Sequence, residues 1–229
     1  MGIRHGVLTA AADDLELTII GASGHGARPH EAIDAIWISS QVITNLQQAI
    51  SRTHNPLRPV VLTIGKISGG RAPNVIADRV EMSGTVRSLH PDTHKTLPGW
   101  IENIVANVCN SYGAKYELNY RQGVPSVQNN PVLTQLVESV ALEAWGSERV
   151  TVLPEPSLGA EDFSMYLQKV PGMMFRLGVG YKDKYNYPLH HPQFEASESS
   201  IVTSVVILAY AAYKYCLLYT SDAADDPAS

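Results

Sequence analysis

Cysteine is scarce in this chain. Cys109 and Cys216 are the only two in 229 residues, which excludes a disulfide framework and a cysteine-based metal site. A reducing, cytoplasmic setting is the expectation. Positive charge is also short: 17 Lys and Arg face 22 Asp and Glu, a net charge of −5. That argues against a nucleic-acid partner and against an anionic-membrane surface. The opening stretch MGIRHGVLTAAADD lacks the long apolar core of a signal peptide. The most apolar run, IVTSVVILAYAAY at 201–213, is shorter than the roughly 20 residues that cross a bilayer and reads as a buried helix. Internal repeats and low-complexity tracts are absent. Charged residues make up only 17% and hydrophobic ones 45%, so a packed globular core is expected.

What is present starts with GASGHGARPH at 21–30. Upstream, Leu15, Leu17 and Ile19 alternate with Glu16 and Thr18, the period of a half-buried strand. Downstream, Ile33, Ile36, Trp37, Ile43, Leu46 and Ile50 recur at helical spacing over about 30–53. A histidine, His25, is therefore predicted on a glycine-lined loop between a strand and a helix. VVLTIGKI at 60–67 reads as a strand, SGGRAPN at 68–74 as a turn, and 77–89 as a second strand. A helix is expected from Pro91 to Val108, its first turn broken by Pro98 and Gly99. AKYELNY at 114–120 alternates again. The order β-α-β-β-α-β is the ferredoxin-like, split-βαβ arrangement: a four-stranded antiparallel sheet with two helices on one face.

A second region follows residue 124. It predicts an amphipathic helix around 133–145, a short strand at 149–153, a helix opened by GAEDFSMYLQKV, a strand at 173–179 and a last helix at about 197–215. This piece is α/β, with too few strands for a complete sheet domain, so a partner segment is expected. Residues 216–229 resemble an in-frame translation of a sequencing adapter and are expected to be a non-native tail.

Four stretches in order, GASGHGARPHEAIDAI, APNVIADRVEMSGTVR, SLGAEDFSMYLQKVPG and PLHHPQF, resemble the aminoacylase-type metallopeptidase family. The likeness is to its branch of hippurate hydrolases and indole-acetyl-amino-acid hydrolases. It implies that residues 1–13 are a crossing strand and 14–124 a lid inserted into a catalytic domain and used for dimerisation. Residues 125–215 would then be the C-terminal return to that domain. The N-terminal catalytic half, with most metal ligands and the general base, would lie outside this chain. The resemblance implies two divalent metal ions, zinc or manganese, in the parent protein, a homodimer, and a small N-acyl or N-aroyl amino acid as substrate.

Amide hydrolysis needs a nucleophile, which metal-activated water supplies, and donors for the developing oxyanion. By resemblance His25 is the oxyanion donor, reaching the partner subunit's site. Asn74 and Arg87 grip the substrate's carboxylate or carbonyl, as an amide and a guanidinium fork can. Glu161 lines the site. His190 is the metal-ligand candidate, with His191 beside it leaving open which ring binds. His30 is read as a capping or packing residue, His5 as part of the crossing strand. The alternative is a non-catalytic ferredoxin-like module for dimerisation or small-ligand binding. An RNA-binding sheet is disfavoured by the missing aromatic stacking motif.

Overall fold

The structure is a computed structural model that describes residues 1–224, with side chains through residue 218. In chain order its strands and helices begin with β1 (Gly2–Ile3), β2 (Gly6–Thr9), β3 (Ala11–Ile20), β4 (Gly24–His25) and α1 (Ala35–Arg52). There follow β5 (Val60–Gly69), β6 (Val75–Ile76), β7 (Arg79–Ser88), α2 (Pro91–Ser111) and β8 (Lys115–Val124). The rest are β9 (Val127–Asn129), α3 (Pro131–Trp145), β10 (Thr151–Val152), α4 (Phe163–Leu167) and α5 (Ser199–Ala224). The chain divides into two compact units. One is Thr9–Val127 with Ser157–Met165; the other is Met1–Leu8, Gln128–Pro156 and Tyr166 onward. The first therefore starts before residue 14 and also takes in 157–165, which the sequence reading assigns to the C-terminal segment. The reason is local: Ala10 N donates to the carbonyls of Ser157 and Gly159 at 3.0 Å each.

Within the first unit the sheet order is β5-β7-β3-β8, antiparallel throughout. The two helices lie on one face, so the ferredoxin-like expectation holds. Alternation explains it. Leu15, Leu17 and Ile19 of β3, and Val80, Met82 and Val86 of β7, point into a core shared with Ile38, Val42 and Leu46 of α1 and Leu97, Ile101 and Val105 of α2. Burying a side chain of this size stabilises the fold by about 1.5–3 kcal/mol. The intervening residues face away and pair on that face, across strands as in Arg121–Glu16 at 2.9 Å and along one strand as in Arg79–Glu81 at 3.0 Å. Asp34 starts α1 by accepting from the N–H groups of Ile36 and Trp37. That assigns the cap to Asp34 and not to His30, which sits exposed in a single 3-10 turn, Pro29–Glu31.

Pro98 does not break α2, which runs unbroken through it. A proline inside a helix leaves the carbonyl four residues earlier without its N–H donor. That carbonyl belongs to His94, and the Gln122 side chain of β8 supplies the missing donor at 3.0 Å. A partner 28 residues away carries no local sequence signal.

In the second unit β1 pairs with β10 in parallel. Asn130 caps α3 by accepting from Leu133 N, with Pro131 at the first helical position. A small core joins Ile3, Val137, Val140, Ala141 and Ile207. The expected strand at 173–179 is absent, reduced to a bridge between Gly2 and Arg176. α5 differs twice from expectation. It continues past Tyr215 to Ala224, so the part of the proposed tail up to 224 is helical; residues 225–229 lie outside the described residues. It is also mostly uncovered: Ile207 is buried, but Ile201, Val202, Val205 and Leu208 are exposed. Packing on α3 covers one stripe only. Residues Ser199–Leu218 are long and apolar enough to cross a membrane by length and composition, so the expectation of too short a run is corrected.

Candidate functional site

The His25 loop is built on close backbone approach. A Cβ at Gly21 would stand 2.1 Å from the Ile33 carbonyl oxygen, and one at Gly24 would stand 2.6 Å from the Ala32 Cβ. Only glycine allows these contacts. β4 then pairs with β6, His25 opposite Val75, and Gly26 N donates to the Asn74 carbonyl at 2.9 Å. The fold thus brings His25 and Asn74 together on adjacent, exposed turns.

The ring of His25 is oriented. Its Nδ1 accepts the backbone N–H of Ala27 at 3.0 Å. In neutral imidazole one nitrogen accepts and the other carries the proton. With Nδ1 accepting, Nε2 bears the hydrogen and is a donor. The Nε2 side makes no hydrogen bond among the described residues, so the donor is free for a ligand.

Arg87 lies elsewhere. It sits near the end of β7, in register with Ala12 and Val61, on the face away from the helices. The His25 loop meets the opposite end, where Gly21 N donates to the Asp78 carbonyl. From Arg79 to Arg87, at ~3.3 Å per strand residue, the separation is about 26 Å. Within one protomer Asn74 and Arg87 do not form a joint grip.

Glu161 precedes α4. Its carbonyl accepts from Ser164 N and Oγ, while its carboxylate makes no hydrogen bond among the described residues. His190 has φ of 70°, the only non-glycine residue with positive φ among those described. It is exposed, on a loop tied down by Asn186, whose side chain bonds both backbone groups of Tyr181. His191 is committed: its ring stacks on Tyr187, centroids 4.4 Å apart, and its Nδ1 accepts from Gln193 N at 3.1 Å. That bond leaves the proton on Nε2, so neutral His191 has no spare lone pair, and His190 is the freer imidazole. Among the described residues no three His, Cys, Asp or Glu side chains cluster to hold a metal ion. These residues alone therefore do not fit a metal pair.

The sequence reading passed over Asp13. It is 3% exposed and in phase with Leu15, Leu17 and Ile19. A carboxylate on the apolar phase of a strand was the available signal.

Residues 11–113 match the family described as a peptidase dimerisation domain. A Synechocystis sp. protein named as a probable hydrolase is 69% identical over 216 residues, covering 94% of this chain and 55% of its own. A solved structure from methicillin-resistant Staphylococcus aureus, named as an aminohydrolase, has a TM-score of 0.87 at 32% identity, covering 93% of this chain and 55% of its own. A Bacillus subtilis structure named as a dinuclear metal binding peptidase has a TM-score of 0.72 at 28% identity, covering 92% and 51%. The chain spans about half the length of the relatives it matches, and those relatives carry hydrolase and peptidase names.

Proposed function

We propose that this chain supplies the dimerisation lid and C-terminal part of a homodimeric hydrolase that cleaves the amide bond of N-acyl or N-aroyl amino acids. The hydrolase and peptidase relatives support the reaction class. The observation that carries the reading is the Ala27 N–H bond to His25 Nδ1, which presents Nε2–H as a fixed donor. Such a donor stabilises charge that develops on the carbonyl oxygen as it becomes tetrahedral. Asn74, on the neighbouring turn, adds an amide donor. Arg87 holds a carboxylate. Two divalent ions, zinc or manganese, would supply an activated water when bound in the longer protein; His190 is the imidazole this chain would add to ligands outside it.

The two ends of the lid serve different sites. A substrate of about two residue lengths spans only about 7 Å, far less than the separation of His25 from Arg87. In a two-fold dimer, each site then takes Arg87 from one subunit and His25 with Asn74 from the other.

The test uses the full-length protein. His25→Ala should lower kcat roughly 10²–10³-fold with KM nearly constant, as for a single oxyanion donor. Arg87→Ala should raise KM. Heterodimers of His25→Ala and Arg87→Ala subunits contain one site with both residues intact and one with neither. About half of the wild-type activity should return. Heterodimers that form and regain no activity at subsaturating substrate would mean that a single subunit supplies both residues to each site, and would overturn the arrangement. An unchanged kcat in His25→Ala would overturn the donor role.

A further inference from the structure

A carboxylate sits at the root of the four-stranded sheet, where strand alternation calls for an apolar residue. Asp13 Oδ1 accepts from His94 Nε2 at 2.8 Å and from Gly123 N at 3.0 Å; its Oδ2 accepts from Tyr120 Oη at 2.6 Å. Three elements, β3, α2 and β8, converge on one side chain.

The convergence coincides with a break in the ladder. Ala12 pairs with Val124 and Asp13 with Gln122, so Gly123 is left over as a bulge. A Cβ there would stand 2.3 Å from the Ala12 carbonyl oxygen, so the position demands glycine. A bulged residue loses its cross-strand partner and bends its strand. The Gly123 N–H lost to the ladder is the one Asp13 accepts. Next to it, Gln122 reaches the His94 carbonyl that Pro98 leaves without a helix donor. The bend of β8 just before its end at Val124 is thus fastened to α2 twice, once through His94's carbonyl and once through its ring.

We propose that the Asp13 carboxylate is an acid-released clamp on this bulge. Ionised, it holds Gly123 and the bent end of β8; protonated, it gives up an acceptor site and frees the bulge. The titratable groups facing it are His94 on α2 and Tyr120 on β8, while β7 sets Val86 against it. His94 donates through Nε2 in both its neutral and its protonated form.

The direction of release follows from the surroundings. Burial favours the neutral acid, but hydrogen bonds from His94, Tyr120 and the Gly123 N–H outweigh it and hold the carboxyl below its usual range. Burial and the same carboxylate push the Tyr120 hydroxyl far above its usual range, so it stays a donor. A carboxyl lowered on folding stabilises fully above its unfolded value, about pH 4. The contribution is lost as the pH falls through the lower, folded value.

Amide hydrogen exchange on the intact chain tests this. After correction for intrinsic rates, protection of the Gly123 amide should drop severalfold as the pH falls from about 5 through the acid range in which the chain stays folded, and the two ends of that range are compared. In Asp13→Asn it should be low and equal at both. Should that variant fail to fold, Tyr120→Phe removes one donor and keeps the ring. Its Asp13 carboxyl should titrate at a higher pH than in wild type, read from the side-chain carbon shift. Gly123 protection that is independent of pH in wild type, or an unmoved Asp13 midpoint in Tyr120→Phe, would overturn the clamp.

Discussion

Single glycines in the sheet show how far one atom matters. Gly84 lies in β7, and a Cβ there would stand 2.0 Å from the Thr63 carbonyl oxygen on β5. Gly65 lies on β5 at the register shift between Ile64 and Lys66, and a Cβ there would touch nothing within 4 Å. Gly84→Ala should therefore destabilise by about 2–3 kcal/mol, the range of overpacking. Gly65→Ala should stay within about 0.5 kcal/mol of wild type. Urea unfolding of both variants measures the contrast, and equal midpoints would contradict the steric account. The site at this scale was partly legible. Gly21, Gly24 and Gly26 around His25 announce a tight loop in sequence. The ring's orientation by Ala27 does not, because it depends on the turn's dihedral angles. Asp13 was missed because its partners His94 and Tyr120 are 81 and 107 residues away.

The two edges of the sheet differ in a way that bears on pairing. β8 exposes Lys115, Glu117 and Arg121, charges that guard an edge against another strand. β5 exposes Val61, Thr63, Ile67 and Ser68 with one lysine, Lys66. Over it lies α1, whose single charged residue is Arg52 and whose outer face is Ile36, Trp37, Ser40, Thr44 and Gln48. A solvent face this poor in charge fits a covered surface. In the dimer proposed above, Thr44→Glu combined with Gln48→Glu should shift the protein to monomer in light scattering, because like charges would meet across a two-fold axis. Glu117→Lys on β8 should leave the dimer intact; the reverse pattern would move the interface to the other edge. The six elements of the β-α-β-β-α-β unit were readable from period and turn residues alone. Pro98 within α2, the β4–β6 ladder and the missing strand at 173–179 were not. Each is decided by a partner distant in sequence or by its lack.

As a whole, the chain would bring to the proposed metal chemistry a single imidazole, His190, where a metal ion needs several ligands. Alone it should show no amidase activity, and calorimetry should find no tight stoichiometric zinc binding; sub-micromolar zinc affinity would reveal a complete site and overturn this view. Its first unit has the larger core and should unfold at the higher urea concentration, resolved by Trp37 and Trp100 against Trp145 fluorescence. Helix α5 adds a consequence of a different kind. Ile201, Val202, Val205, Val206 and Leu208 stand open to solvent along it. Chaperones and proteases in a cell act on exposed apolar segments of this sort. For this chain made alone in a cell, abundance would then follow how quickly α5 is captured, not how firmly the first unit's core holds together.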